Sequence, residues 1–252
     1  MFDLTGKVAI VTGGAGGLGR PISLGLAKAG ADVVIDDLEK ANPQAVADEV
    51  KKLGRKGLAV SYDVTSPEAM KDMVDKVLKE FGRIDILMNT AGINARFSAE
   101  EMPADEYEKV VRFNTLGTFL PCQAVGKVWI EKKQKGKIIN MGSVRGWVAP
   151  GIGGSAYATS KGGVHQMTRT LAVEWAKYGI NVNGIAPALV MTDMTREFLS
   201  KPEIYSKMTA EIPLARLGVP EDLLGAIILL ASDDSDFITG QIIYVDGGLY
   251  AA

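Results

Sequence analysis

Short apolar runs alternate with amphipathic stretches along the whole chain. Lys7 to Thr12 is a β-branched run that ends in glycines and reads as a buried strand; Ile22, Leu24, Leu26 and Ala27 then recur at helical spacing. A second apolar run, Asp32 to Ile35, ends at Asp36-Asp37. The pattern continues with a strand over Leu58 to Val64, an amphipathic helix from Pro67 to about Phe81, and a strand over Ile84 to Asn89. A long helix follows from about Asp105, kinked or interrupted at Pro121, where proline has no N–H to donate. Gly136 to Gly142 reads as strand, Ser155 to Tyr178 as helix, Ile180 to Ile185 as strand, Pro220 to about Ser232 as helix, and Gln241 to Val245 as a last strand. Seven strands alternating with helices, without a long polar linker, predict one α/β domain over residues 1–252. Its core is a doubly wound, seven-stranded parallel sheet with helices on both faces. Residues 188–213 break the pattern with a Met- and Thr-rich insertion after a strand end. Ligands in such sheets bind outside the carboxyl ends of the strands, so this segment is expected to be a substrate loop or lid.

Composition acts mainly by exclusion. A chain of 252 residues with 47% hydrophobic residues can build a sizeable core. Its formal net charge is -2 and it has no long basic run, so nothing points to nucleic acid or an anionic membrane surface. No apolar run approaches the roughly 20 residues of a membrane span. The one cysteine, Cys122, cannot form an internal disulfide, which fits a reducing compartment; it reads more simply as a small buried apolar residue than as a nucleophile. The single histidine, His165, has no second histidine or cysteine cluster, so no metal site is expected. The chain starts almost directly into a strand, leaving no room for a signal peptide. A cytoplasmic protein is the expectation.

Two stretches carry chemistry. Gly13-Gly14-Ala15-Gly16-Gly17-Leu18-Gly19 joins the first strand to the first helix. Glycines at such a turn let the backbone approach a pyrophosphate, and the helix N-terminus adds free N–H groups and partial positive charge. The acidic Asp36-Asp37 pair follows at about the spacing from which a carboxylate reaches a ribose. Strand, glycine turn, helix, strand and acid together predict a Rossmann-type dinucleotide site. The second stretch is Tyr157-Ala158-Thr159-Ser160-Lys161, which places a phenol and an ammonium one helical turn apart. A nearby cation favours phenolate and brings tyrosine, which titrates near about 10 when free, within reach of acid–base work. Taken alone, such a pair is usually solvated surface.

These motifs resemble the short-chain dehydrogenase/reductase family, and the resemblance runs from about Leu4 to Gly248. Thr12-Gly13-x-x-x-Gly17-x-Gly19 is similar to the family's cofactor turn, Asp63-Val64 to its adenine contact, and Asn89-Thr90-Ala91-Gly92 to its strand-four motif. Asn114, Ser143, Tyr157 and Lys161 fall on its catalytic tetrad, and Pro187 and Thr192 on the turn at the nicotinamide end. Three departures concern the rim. Thr90 replaces the commoner second Asn, Ala188 stands where Gly usually follows Pro187, and the Ser143–Tyr157 spacing is one residue longer than in many members. The resemblance implies that Tyr157 exchanges the proton with the substrate and that Lys161 lowers its pKa and holds the nicotinamide ribose. Ser143 would bind the substrate oxygen, and Asn114 would hold a water linking Lys161 to solvent. The implied cofactor contacts are Gly13, Gly17, Leu18, Gly19, Asp37, Asp63, Val64, Asn89, Ala91, Gly92, Tyr157, Lys161, Pro187, Val190 and Thr192.

The cofactor is expected to be NAD. Asp37 occupies the family's position for an acid that accepts from both ribose hydroxyls and repels a 2′-phosphate, and Asp36 beside it is expected to add to that repulsion. Gly16 and Leu38 stand where NADP-preferring members usually carry a basic residue. Ala91 to Arg96, followed by Ala99-Glu100-Glu101, looks like the gluconate 5-dehydrogenase and deoxygluconate dehydrogenase branch. That branch interconverts a sugar-acid or polyol hydroxyl and its ketone, and Arg96 and Arg145 are candidates to clamp a substrate carboxylate. Met191, Met194 and Phe198 point instead toward a partly apolar pocket. Two further readings stand beside this one: a ketone or 3-oxoacyl reductase, or another alcohol dehydrogenase of the family; and a catalytically idle dinucleotide-binding regulator, against which the complete tetrad counts. The resemblance also implies a homotetramer.

Overall fold

The computed structural model describes residues 2–149, 153–192 and 201–251. Seven strands form one parallel sheet: β1 (Val8–Thr12), β2 (Asp32–Asp36), β3 (Gly57–Val60), β4 (Ile86–Asn89), β5 (Gly136–Met141), β6 (Ile180–Pro187) and β7 (Ile242–Val245). Their spatial order is β3-β2-β1-β4-β5-β6-β7, so the winding reverses between β1 and β4. In an open sheet that reversal leaves a crevice beyond the strands' carboxyl ends. Register is direct, with Thr12 opposite both Asp36 and Asn89, which brings the ends of β1, β2 and β4 level.

Two apolar layers follow from side-chain alternation along buried strands. Ala9, Val11, Val33, Ile35 and Met88 face one side, with α1 (Gly19–Lys28), α2 (Pro43–Lys52) and α7 (Glu221–Ala231) packed over them. Val8, Ile10, Val34, Leu87 and Ile138 face the other, covered by α3 (Pro67–Phe81), α4 (Ala104–Glu131) and α5 (Ser155–Trp175). The doubly wound arrangement expected from the hydrophobic pattern is therefore present.

The structure departs from the sequence expectations at three places. α4 runs through Pro121 without interruption for 28 residues. Proline's φ suits a helix, so the loss there is one hydrogen bond, which the packing of a long buried face outweighs. α2 was not foreseen, although its start has a physical signature: Asn42 in the left-handed region accepts from the Ala45 N–H, with Pro43 at the first helical position. Within 188–213, Pro202–Thr209 forms α6, so the insertion is not irregular throughout.

The amino ends of the strands show how tightly the second layer packs. Trp129 is fully buried and its indole N–H donates to the Ile84 carbonyl at 2.7 Å. Its ring lies across Gly136, where a Cβ would fall 2.5 Å from ring atoms. Gly136→Ala should therefore lower the free energy of unfolding by about 1–3 kcal/mol, the usual range for overpacking, as read from the urea midpoint. Dinucleotide affinity should be unaffected, because Gly136 lies at the end of β5 remote from the crevice. An unchanged midpoint would show that the indole can move aside.

Candidate active site

A cleft of about 480 Å³ opens at the carboxyl ends of the strands where the winding reverses. Gly13, Gly17, Leu18 and Gly19 form one wall, and Asp37, Asp63 and Val64 close its far end. Ala91, Gly92, Tyr157 and Lys161 line the opposite end. Eleven of the fifteen expected cofactor contacts thus meet in one crevice.

The glycine wall has a steric cause. A Cβ on Gly19 would overlap the Gly13 carbonyl, so only glycine lets the turn close. α1 begins there with neither a capping side chain nor an acidic residue in its first turn, which leaves its positive end to face an anion. Asp37 is half-buried; its Oδ2 accepts from the Ala15 N–H at 3.0 Å and its Oδ1 from the Leu38 N–H at 2.8 Å. A close-approach turn, an open helix N-terminus and a carboxylate one strand away fit a dinucleotide.

The remaining four residues lie elsewhere. Asn89 is buried behind the crevice, donating to the Asn140 side chain at 2.9 Å and to Cys122 Sγ at 3.1 Å; it ties β4 to β5 and α4 rather than facing the cleft. Pro187 and Val190 lie on β6 and just after it, outside the cleft wall. Thr192 packs against Gly17, with a Cβ built there 3.1 Å from the threonine Cβ, so the segment after β6 touches the glycine turn from above. Met194 and Phe198 lie outside the described residues.

At the end of the cleft opposite the Asp37 and Asp63 carboxylates, α5 carries Tyr157 and Lys161 on one stripe. Lys161 is buried and its ammonium donates to the Met141 carbonyl at 2.7 Å, while lying 5.6 Å from the Tyr157 ring centroid. Burial pushes Lys161 down to about 8. The Tyr157 phenol is held above its ordinary value by desolvation, partly offset by a hydrogen bond with Ser143. The lysine, expected to lower the phenol, is not among the causes acting on it in this structure. Burial dominates both groups, and the ammonium is aimed at a main-chain carbonyl rather than at the phenol oxygen.

Ser143 follows β5 and caps a short 3₁₀ turn, Val144–Gly146, with Oγ accepting from the Arg145 N–H at 3.1 Å. Asn114 on α4 is fully buried; its amide donates to the Ile93 carbonyl and to Ser160 Oγ, both at 2.9 Å, and its Oδ1 accepts from the Ile93 N–H at 2.8 Å. Both amide protons are committed, so in this structure the side chain pins the segment after β4 to α5 rather than presenting a donor to water. Of the two candidate clamp residues, Arg145 donates to the Ala149 carbonyl at 3.0 Å and Arg96 is exposed, and neither is among the residues lining the cleft. Following a strand end fixes where a residue starts, not where a long side chain goes.

Asp36 brings a second correction. It is fully buried under the cleft floor, with Oδ1 accepting from the Tyr62 N–H at 3.0 Å and Oδ2 without a partner. Burial pushes its carboxyl up to about 7, with Asp37 and Asp63 adding like-charge repulsion. Near neutral pH it therefore carries only part of a negative charge, so the pair repels less than two fully ionised carboxylates would. Further cleft residues, among them Tyr62 and Phe113, went unnoticed because their only signal is adjacency to Asp63 and Asn114. Among the described residues no cluster of metal-ligating side chains occurs, and Cys122 is buried with its thiol pushed up to about 12. No described helix is long and apolar enough to cross a membrane.

Comparison with known proteins places this geometry in context. A family model described as enoyl-(acyl carrier protein) reductase matches residues 13–250. The chain is 39% identical over 250 residues to the 2-dehydro-3-deoxy-D-gluconate 5-dehydrogenase of Escherichia coli (strain K12), covering 99% of this chain and 98% of that protein. Among solved structures it is similar to a gluconate 5-dehydrogenase from Burkholderia cenocepacia J2315 in complex with NADP and tartrate, with a TM-score of 0.93 and 35% identity, covering 100% of this chain and 98% of the other. It is also similar to an NAD+-bound xylitol dehydrogenase, with a TM-score of 0.92 and 31% identity, covering 97% and 99%.

The buried Asp36 makes stability depend on pH in a direction opposite to that of a paired carboxylate. Its folded-state value near 7 lies above the ordinary 3.8, so between those values the folded protein holds a proton that the unfolded chain releases. Relative to Asp36→Asn, the wild type should lose stability as pH rises through that window, by up to about 1.4 kcal/mol per pH unit. Urea melts of both proteins between pH 4.5 and 7.5 measure the difference. A difference constant with pH would show that Asp36 is ionised throughout.

Proposed function

The chain belongs to the short-chain dehydrogenase/reductase family of oxidoreductases, and from that premise we propose that it interconverts a secondary alcohol of a sugar acid or polyol and the corresponding ketone, using NAD. The observation that carries the chemistry is the placement of Tyr157 and Lys161 at one end of a glycine-walled cleft, with Ser143 beside Tyr157. The 2-dehydro-3-deoxy-gluconate and gluconate dehydrogenases among its relatives, together with the Asn94 to Glu101 stretch, support the substrate class.

When bound, the nicotinamide takes or gives the hydride, and the protein's work is to bind, orient and manage one proton. On reduction Tyr157 Oη gives its proton to the ketone oxygen, the state in which its burial holds it; on oxidation it first passes that proton toward Lys161 and the proton path beyond, and then takes the proton of the alcohol. The Ser143 hydroxyl, close enough to Tyr157 to offset part of the effect of burial on the phenol, holds the substrate oxygen and steadies charge developing on it. Lys161 spends one donor on Met141 and has others for a ribose hydroxyl and for the Tyr157 proton path. Asn114 fixes the Ile93 segment that shapes this end of the cleft. The Gly13 to Gly19 turn would hold the pyrophosphate, Asp63 and Val64 the adenine, Ala91 and Gly92 the middle of the dinucleotide, and the segment containing Pro187, Val190 and Thr192 the nicotinamide end.

The preference for NAD rests on Asp37. Its carboxylate is the charge that a 2′-phosphate would meet, and it accepts well from two neutral hydroxyls. Of the two nearby cations, Arg20 is paired with Glu49 at 3.1 Å through Nε, and Lys40 lies exposed on the short turn Glu39–Ala41. Residues 188–213 serve as the substrate loop of the one domain. Exposed Val173 on α5 and Phe237 before β7 are consistent with a homotetramer, and the single buried thiol with a cytoplasmic setting.

Initial rates on a panel of sugar acids, polyols and neutral secondary alcohols, each with NAD and with NADP, test the reading. NAD-linked oxidation strongest on gluconate-type acids or polyols is the expected result. Activity confined to hydrophobic alcohols would overturn the substrate class, and better use of NADP would overturn the argument from Asp37. Tyr157→Phe should keep the fold and the dinucleotide affinity but reduce turnover by about 10²-fold or more, the scale of a lost general acid–base; a variant turning over at the wild-type rate would remove Tyr157 from the mechanism.

A further inference from the structure

The stripe of α5 that carries Tyr157 and Lys161 continues, one turn further, to His165. A histidine with 2% of its surface exposed, in a chain with no other, needs a reason to be there. Its Nε2 accepts a hydrogen bond from the Ser143 backbone N–H at 3.4 Å. The turn around Ser143 is shaped to admit the ring. Gly142 and Gly146 flank the serine by one and three residues, and both lie flat against the imidazole. A Cβ on Gly142 would overlap Nε2, and one on Gly146 would fall 2.6 Å from Cε1. On its other side the ring meets Tyr244 edge to face, with centroids 6.3 Å apart and planes at 84°, and Tyr244 in turn stacks on Tyr250 at 4.1 Å.

The hydrogen-bond pattern sets the protonation state. With Nε2 accepting, the proton of the neutral ring resides on Nδ1, and Nδ1 is buried without a partner. Burial and the charges of Arg169 and Lys161 push the imidazole down to about 4, so the ring stays a neutral acceptor at ordinary pH. An orphaned buried N–H is a cost that a leucine of similar size would not carry. The ring is thus a poor choice for stability and a good one for presenting an acceptor to the Ser143 main chain.

We propose that His165 is a positioning residue: it holds the Ser143 backbone through Nε2, within a bracket of Gly142 and Gly146, so that the serine hydroxyl faces the substrate oxygen. The inference rests on the reading of Ser143 as the group that binds that oxygen. His165 itself touches neither substrate nor cofactor.

The test compares wild type, Ser143→Ala, His165→Leu, His165→Gln and His165→Asn by kcat, KM for the best alcohol of the panel, NAD affinity by fluorescence titration, and Tm. His165→Leu removes the acceptor and should lower kcat about tenfold or more, the scale on which misplacing a reacting group acts. Its NAD affinity should change by less than about twofold and its Tm should stay the same or rise, since the orphaned N–H is gone. Gln places an oxygen where Nε2 lies and should recover most of the rate. Asn reaches only the Nδ1 position and should not, a contrast that holds even if the leucine variant folds poorly. Wild-type kcat in His165→Leu, or a rate loss that tracks a falling Tm and is equal in Gln and Asn, would overturn the proposal. Wild-type turnover in Ser143→Ala would instead overturn the reading of Ser143 on which it stands.

Discussion

One face of α5 grips the carboxyl end of β5, and the active-site end of the cleft depends on that grip. Tyr157 meets the Ser143 hydroxyl, Lys161 holds the Met141 carbonyl, His165 takes the Ser143 N–H, and Thr168 accepts from the Asn140 side chain at 3.0 Å. The four side chains come from successive turns of one helix, and the groups they hold belong to three residues, Asn140, Met141 and Ser143, at and just past the end of one strand. A helix laid along a strand at this pitch sets the height of every reacting group relative to the sheet. Asn114 then joins α4 to the same point through Ser160, whose hydroxyl donates to the Tyr157 carbonyl at 2.7 Å.

That grip is buried, and burial governs the ionisation of what it holds. Lys161, His165, Tyr157 and, at the other end of the cleft, Asp36 are all pushed toward their neutral forms by desolvation as the largest cause. Charge at the cleft is therefore concentrated on the partly exposed Asp37 rather than spread over an acidic pair. A site built this way is held by hydrogen bonds to the main chain, which bind neutral and charged groups alike, with Asp37 and Asp63 as carboxylates in the wall of the cleft.

The fold was legible because its signals are local and repeated. Buried strands read as β-branched runs, amphipathic helices as apolar residues at helical spacing, and the glycine turn needs no partner to be recognised. α3 starts at Pro67 as expected because Ser66 caps it and proline opens it; the Asn42-Pro43 start of α2 carries the same kind of local signal. Pro121 misled because its local cost is real but small beside the packing of a long helix. Arg145 shows that backbone position says little about where a flexible guanidinium goes: it follows a strand end, yet donates to the Ala149 carbonyl.

The sequence alone determined the order and number of strands, the glycine turn, the acid at the end of β2 and the Tyr157–Lys161 pair, since each is set by short-range sterics or by periodicity within one element. Tertiary structure decided what lies between elements: that Asn89 faces a buried network rather than the cleft, that Asp36 lies under the floor while Asp37 borders the opening, that Asn114 pins Ile93, and that the single histidine stands behind Ser143. The physical reason is that burial and hydrogen-bond partnership are properties of pairs brought together from distant parts of the chain. A residue's charge state follows from those pairs, and no spacing along one strand or helix contains it.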